Sequence, residues 1–253
     1  MRGRPNSVAR VFDSVRSRIP TIALWPDWVT RGVVNPRDTL AVGFMPAPPR
    51  LGSFGPAPVG SLQDTKLAVF VAGTIGTTAG WFDSFVRVSG AACRAVGCRG
   101  VILGGDCAEP PVGLADCVVW RPFWPLAQVL PYADVLVHHG GIGTAARALE
   151  HGVPQLIVLR VFAQASNAEW LRALGVCSVM DPRVYSVAAV SDHLCQLLSQ
   201  VEYQRAAARA ARRCDSEVSL ARIGHLLEAW RDRPAPGRLP SGSIRRGMAH
   251  RAT

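Results

Sequence analysis

Lysine is almost absent from this chain: of the 28 basic residues, all but Lys66 are arginine. Long apolar runs are lacking too. The longest candidate, residues 117–137, is interrupted by Arg121, Asp134 and three prolines, which excludes a spanning helix of roughly 18 to 20 apolar residues. The opening MRGRPNSVAR has no hydrophobic core of the kind a signal peptide carries. The seven cysteines show no CxxC spacing, so they read as buried free thiols in a reducing compartment rather than a disulfide framework. The resulting expectation is a cytoplasmic protein. Also missing are a GxSxG elbow, an HExxH helix, a P-loop ending in GK[ST] and any metal-ligand spacing. No catalytic residue, metal site or cofactor is therefore assigned.

The formal charge of +10 raises the question of nucleic acid. The arginines crowd the first twenty residues and the stretch beyond residue 200, without interleaved aromatics or a recognition-helix pattern. They read as a solvated face and a loose tail, with no nucleic-acid partner; peripheral contact with anionic membrane lipid stays open. Abundant Ala, Gly and Val beside arginine suggest a GC-rich, bacterial coding sequence.

What is present is enough for one sizeable core: 253 residues, 49% hydrophobic and 18% charged. Residues 1–20 have the spacing of an amphipathic helix, and 36–58 are rich in proline and glycine, as in a linker. Strands are then expected at 67–72, 100–103, 117–120, 135–137, 155–159 and 177–180. Helices are expected at 81–96, 126–132, 143–151, 167–174 and 187–199, with outer helices at 202–213 and 218–230. This alternation predicts an α/β fold, a Rossmann-like parallel sheet with helices on both faces. Ligands of such sheets bind beyond the carboxyl ends of the strands.

The densest information lies in residues 120–167. Val135-Leu136-Val137 is a short β-branched run that ends in HHGGIGT, residues 138–144. Gly140, Gly141 and Gly143 crowd the turn, and a helix-forming stretch then runs to the stop at Gly152-Val153-Pro154. The amides at such a helix start attract anions, phosphate above all. His138 and Thr144 add side-chain donors.

These residues resemble the donor-binding signature of the GT-B glycosyltransferases that use UDP- or TDP-activated sugars. The resemblance covers Trp120-Arg121-Pro122, HHGGIGT, Ala148-Leu149, Gly152-Val153-Pro154-Gln155, and Gln164 with Asn167. Upstream, Phe70-Val71-Ala72-Gly73-Thr74 is similar to the strand that opens the same domain.

The resemblance implies the C-terminal half of a GT-B fold, with the N-terminal domain largely missing. Residues 1–64 would be a remnant of that domain and a linker, and 65–200 the nucleotide-sugar-binding domain. Outer helices would occupy 201–231 and a disordered basic tail 232–253. Trp120 would present its ring to the base, the alternative being an interior aromatic. Pro122 matches the pattern, whereas Phe123 stands where some members carry a polar residue. His138 would contact the diphosphate, the alternative being a satisfied structural histidine, and His139 reads as structural. Gly73 and Thr74 would offer donors from the opposite wall, and Gln164 and Asn167 complete the set for a nucleotide-sugar donor.

Two departures stand out. Ala163 replaces the usual acidic grip on the sugar, and Leu159 replaces a proline; donor preference shifted toward a deoxysugar, or impaired sugar binding, would both fit. The histidine that serves as base in inverting members has no counterpart among the six histidines here. The expected function is donor binding for transfer of a hexose or deoxyhexose to a hydroxyl of a small-molecule or lipid acceptor. Activity would need the missing half, for which a separate acceptor-domain subunit is one candidate. The competing reading is a degenerate, noncatalytic auxiliary that binds partners through the old cleft.

Overall fold

The computed structural model describes residues 21–29, 39–46, 65–73, 81–104, 111–160 and 163–231. The helix expected at 1–20 and the tail at 232–253 lie outside these residues. Two short strands, β1 (Thr21–Ala23) and β2 (Thr39–Ala41), form a small parallel pair. The second falls inside the stretch read as linker. In the main body β3 (Leu67–Val71) leads to α1 (Trp81–Val96), then β4 (Arg99–Leu103) and β5 (Val118–Arg121). A short helix α2 (Leu126–Val129) and a 3-10 turn (Leu130–Tyr132) lead into β6 (Val135–His138). Then follow α3 (Ile142–His151), β7 (Gln155–Val158), α4 (Ala163–Ala173), β8 (Cys177–Met180) and a second 3-10 turn (Pro182–Val184). Helices α5 (Val187–Ser199), α6 (Val201–Ala211) and α7 (Ser216–Arg231) close the described chain.

The six main strands pair in the order β5-β4-β3-β6-β7-β8, and every pairing is parallel. Starting from β3 the chain steps outward through β4 and β5, then crosses to β6 and steps out the other way. The topological switch therefore lies between β3 and β6, where Phe70 pairs with Val137 and Val71 with His138. Helices that leave neighbouring strands on opposite sides open a crevice at that place.

Alternation of side chains across the pleat builds two cores from one sheet. Phe70, Ile102, Val135, Val137, Leu156 and Val158 face α1 and α5, where they meet Phe85, Val86, Val190 and Leu194. Leu67, Val69, Val101 and Leu136 face the other way, toward Val129, Leu130 and Ala148. Ile157 continues that side against Leu149, Leu171 and Ala207. Fully burying each such side chain contributes about 1.5–3 kcal/mol. The central strands are apolar on both faces, and this is why their runs show no polar alternation in the sequence. Trp28, Val29 and Phe44 pack into the same core as α3, α4 and α6. The Arg213 guanidinium also lies 4.4 Å from the Trp28 ring centroid.

Most expected bounds are met within one or two residues, and two elements differ. The helix expected at 126–132 breaks after Val129 into a 3-10 turn, because Pro131 has no amide to continue the α-helical ladder. Helix α4 begins at Ala163 rather than at 167, and in its first turn the Gln164 side chain accepts from the Arg160 N–H of the preceding connection. Helix α3 stops at Gly152, whose φ of 67° lets its amide fold back on Ala148 and Leu149. The six described cysteines are all free; Cys93, Cys98 and Cys177 are buried, whereas Cys195 is exposed. No helix among the described residues is long and apolar enough to cross a membrane.

Candidate functional site

The carboxyl ends of β3, β6 and β7 bring Gly73, the segment 138–144 and Arg160 to one edge of the sheet. Thr74 lies outside the described residues. At the center of this edge the first turn of α3 is open. Its N-cap, Gly141, makes no side-chain capping bond, and no acidic residue sits in the first turn. The first backbone bond of the helix runs from Ala145 N–H to Gly141 O, 3.0 Å. The amides before Ala145 thus have no partner within the helix and carry the positive end of its dipole. Thr144 is half-buried on the same turn, and Gly143 is exposed.

The turn feeding this helix is over-determined. Gly140 has a φ of 88°, and a Cβ there would lie 2.9 Å from Ile157 Cγ2 and 3.3 Å from Gln164 Cβ. Its carbonyl accepts from Asn167 Nδ2 at 3.0 Å, and its N–H donates to His138 Nδ1 at 3.2 Å. Gln164, on the same turn of α4, accepts from Arg160 N–H at 3.0 Å. Gln164, expected to meet the sugar, thus fixes the backbone that follows β7, and Asn167, expected in the donor set, ties α4 to the turn after β6.

The two histidines are placed differently. His138 is 1% exposed. Because Nδ1 accepts from Gly140, Nε2 carries the proton, which it donates to Gln155 Oε1 at 3.0 Å. Both ring nitrogens are thus committed within the protein, which is the structural alternative weighed for this residue. Burial holds its pKa down at about 3, so the ring stays neutral. His139, read as structural, is the imidazole that spans the crevice. A Cβ on Gly73 would lie 2.5 Å from its Nδ1, and a Cβ on Gly141 2.6 Å from its Nε2. The ring thus rests between the turn after β3 and the turn after β6, and only glycine leaves room for it at either side. Its Nδ1 is buried without a hydrogen-bond partner. Burial and, secondarily, the Arg160 charge lower its pKa.

Trp120 is placed as the interior aromatic that was the alternative for it. It is 5% exposed, packs in the core beside α1, and donates from Nε1 to Gly104 O at 2.9 Å. The indole thus tethers the turn after β4 instead of standing open to a base. The residues that follow it, Arg121, Pro122 and Phe123, are exposed.

Arg160 was not singled out among the many arginines of the sequence. It follows the end of β7, and its guanidinium carbon lies 3.7 Å from the Trp81 ring centroid. Trp81 in turn stacks on Phe85 at 4.9 Å. Nη1 of Arg160 is buried without a hydrogen-bond partner. The only signal in the sequence was its place, just past a strand end on the ligand side of the sheet. Helix amides, a neutral imidazole and a cation thus gather at one edge, an arrangement suited to an oxyanion.

Comparison with known proteins agrees with this architecture. An aclacinomycin-T 2-deoxy-L-fucose transferase of Streptomyces galilaeus is 37% identical over 131 residues, covering 49% of this chain and 30% of its own length. The crystal structure of a calicheamicin glycosyltransferase superposes with a TM-score of 0.70 at 20% identity, over 92% of this chain and 61% of that one. The structure of the glycosyltransferase VinC in complex with DTDP gives 0.58 at 23% identity, over 82% and 51%. The chain thus spans less than two thirds of each of these proteins, and the two structures establish its fold as that part of a GT-B architecture. Residues 101–229, half of the chain, match the family described as erythromycin biosynthesis protein CIII-like, C-terminal domain, and the chain belongs to that family of glycosyltransferase C-terminal domains.

Proposed function

We propose that residues 65–200 bind the nucleoside diphosphate of a UDP- or TDP-sugar, as the donor half of a glycosyltransferase acting in secondary metabolism. The observation that carries this reading is the uncapped N-terminus of α3, set at the switch between β3 and β6 behind a turn held by His138 and Asn167. The DTDP held by VinC and the deoxysugar named for the aclacinomycin-T relative support a donor of the same class, with a hexose or deoxyhexose as the sugar.

In this reading the acceptor oxygen attacks the anomeric carbon in line, and the bond from that carbon to the diphosphate oxygen breaks. The electron pair leaves with the diphosphate. Amides of Ile142, Gly143 and Thr144 with the Thr144 hydroxyl meet the charge that develops there, an electrostatic role that needs no proton transfer. His138 acts at one remove, since its hydrogen bonds fix the conformation of Gly140. The base that removes the acceptor proton comes from outside the described residues, in a further domain or a partner subunit that also forms the acceptor pocket. Trp120 and Pro122 would then shape the base pocket from below, through Gly104, while residues 201–231 brace the domain from outside.

The test is calorimetric titration of the purified chain with TDP, UDP and their hexose and deoxyhexose derivatives. Binding of a diphosphate with weak binding of the bare nucleoside is expected; a chain that binds none of them sinks the reading. A noncatalytic auxiliary is the second reading, favoured by the inward commitment of His138, Gln164 and Asn167. It predicts that a transferase partner binds the chain whether or not a donor is present.

A further inference from the structure

Among the described arginines, Arg160 has both one face covered by an aromatic ring and one buried nitrogen without a partner. Trp81 lies under the guanidinium at 3.7 Å, and that ring is held in turn by Phe85. Such stacking fixes the plane of the fork and leaves its edges to make hydrogen bonds. Nη1 is shut away from solvent yet has no acceptor, a state that costs free energy unless a ligand supplies one. No carboxylate among the described residues takes that place. Asp181, which lines the same groove beyond β7 and β8, is engaged by Arg183, with Nε of the arginine 3.0 Å from both carboxylate oxygens. On the side toward β6 stands His139, its Nδ1 also unpartnered.

We propose that Arg160, clamped by Trp81, is an oxyanion-binding residue of the donor site and takes a phosphate oxygen of the nucleoside diphosphate opposite the α3 amides. The inference rests on the donor-binding reading above and adds a side-chain cation to it. Two features favour phosphate. Arg160 follows β7, the strand next to β6, and its guanidinium reaches back to Trp81 at the start of α1, on the side where His139 stands. A planar fork also matches a tetrahedral oxyanion with two parallel bonds, and a guanidinium keeps its charge at neutral pH. The backbone N–H of Arg160, bonded to Gln164, fixes the start of the side chain. Together the stacked ring and the anchored backbone leave the fork little to lose on binding.

The experiment titrates the full chain with TDP and thymidine, and with UDP-glucose and UDP-glucuronate, in the wild type, Arg160→Gln and Arg160→Lys. Melting temperatures are recorded for each. The expected result is a roughly 10- to 100-fold weaker TDP affinity in Arg160→Gln with thymidine binding unchanged. Arg160→Lys, which keeps the charge without the fork, should fall between the two. Equal TDP affinity in the wild type and both variants, at unchanged melting temperature, overturns the inference and leaves the donor-binding reading standing. A loss confined to UDP-glucuronate overturns it as well, since the anion would then be a sugar carboxylate. A wild-type chain that binds none of the four ligands brings down both.

Discussion

His138 and Gln155 are joined across adjacent parallel strands, Nε2 to Oε1 at 3.0 Å, at the buried center of the sheet. That bond would survive protonation, but the one Nδ1 accepts from Gly140 N–H would not, and burial lowers the histidine from its ordinary 6.5 to about 3. Between those values an unfolded chain takes up a proton that the folded chain refuses. The His138 contribution to stability is therefore complete above about pH 6.5 and declines as the pH falls toward 3, by at most ~1.4 kcal/mol per pH unit. Denaturant melts from pH 7.5 to 4.5 on the wild type and His138→Gln should show the steeper acid loss in the wild type. Parallel curves would show that His138 does not refuse the proton.

Much of the fold was readable beforehand, and the reason lies in the sheet. Val135-Leu136-Val137 and Leu156-Ile157-Val158 are apolar on both faces, so each strand announces itself whatever its neighbours are. Which of two adjacent histidines turns inward was not readable, because it depends on Gln155 from the next strand and on the bare α-carbons of Gly73 and Gly141. Arg160 was hidden for a similar reason. Its partner Trp81 is 79 positions upstream, on a helix that meets it only after the sheet has formed. Trp120 was assigned from sequence spacing, and spacing does not tell an indole that lines a pocket from one whose N–H ties down Gly104.

Asp134 fastens the entry of β6 to β3. Its carboxylate accepts from Lys66 Nζ at 2.7 Å and from Leu67 N–H at 2.8 Å. The two bonds are unequal in worth. Lys66 is 62% exposed, so Lys66→Ala should cost at most about 1 kcal/mol. Asp134→Ala also strips the acceptor from a backbone amide at the start of a buried strand, and should cost about 1.5–3 kcal/mol. Urea midpoints of the two variants check the ranking. A larger loss in Lys66→Ala would mean that the ion pair, not the amide bond, holds the junction.

Asn167 reaches from α4 to the Gly140 carbonyl at 3.0 Å. Replacing it by Ala removes the donor but leaves the carbonyl some access to water, since Asn167 is half-buried. A stability loss of about 0.5–1.5 kcal/mol is expected. Asn167→Asp should do worse, because a carboxylate would face a carbonyl oxygen across the same gap. The two variants compared by thermal melting at pH 7 decide this: an aspartate variant as stable as the alanine one would show that the side chain turns away without cost.

Gly140 and Gly143 stand three residues apart, and the structure asks different things of them. At Gly140 a side chain is opposed twice, by a φ of 88° and by Ile157 Cγ2 at 2.9 Å from the position of a Cβ. Gly140→Ala should therefore lose about 1–3 kcal/mol. Nothing described lies within 4 Å of a Cβ at Gly143, which sits in the first turn of α3 with no positive φ. The fold gains from an alanine there, by about 0.5–1 kcal/mol, since glycine is the poorer helix former. A residue that weakens its own helix, with open space before it, is explained if a ligand comes close to the backbone at that point. Gly143→Ala should accordingly melt at the wild-type temperature or above it and bind TDP about tenfold or more weakly, one methyl group being enough to push a phosphate off the amides. Tight TDP binding retained by this more stable variant would place the diphosphate elsewhere than the α3 N-terminus.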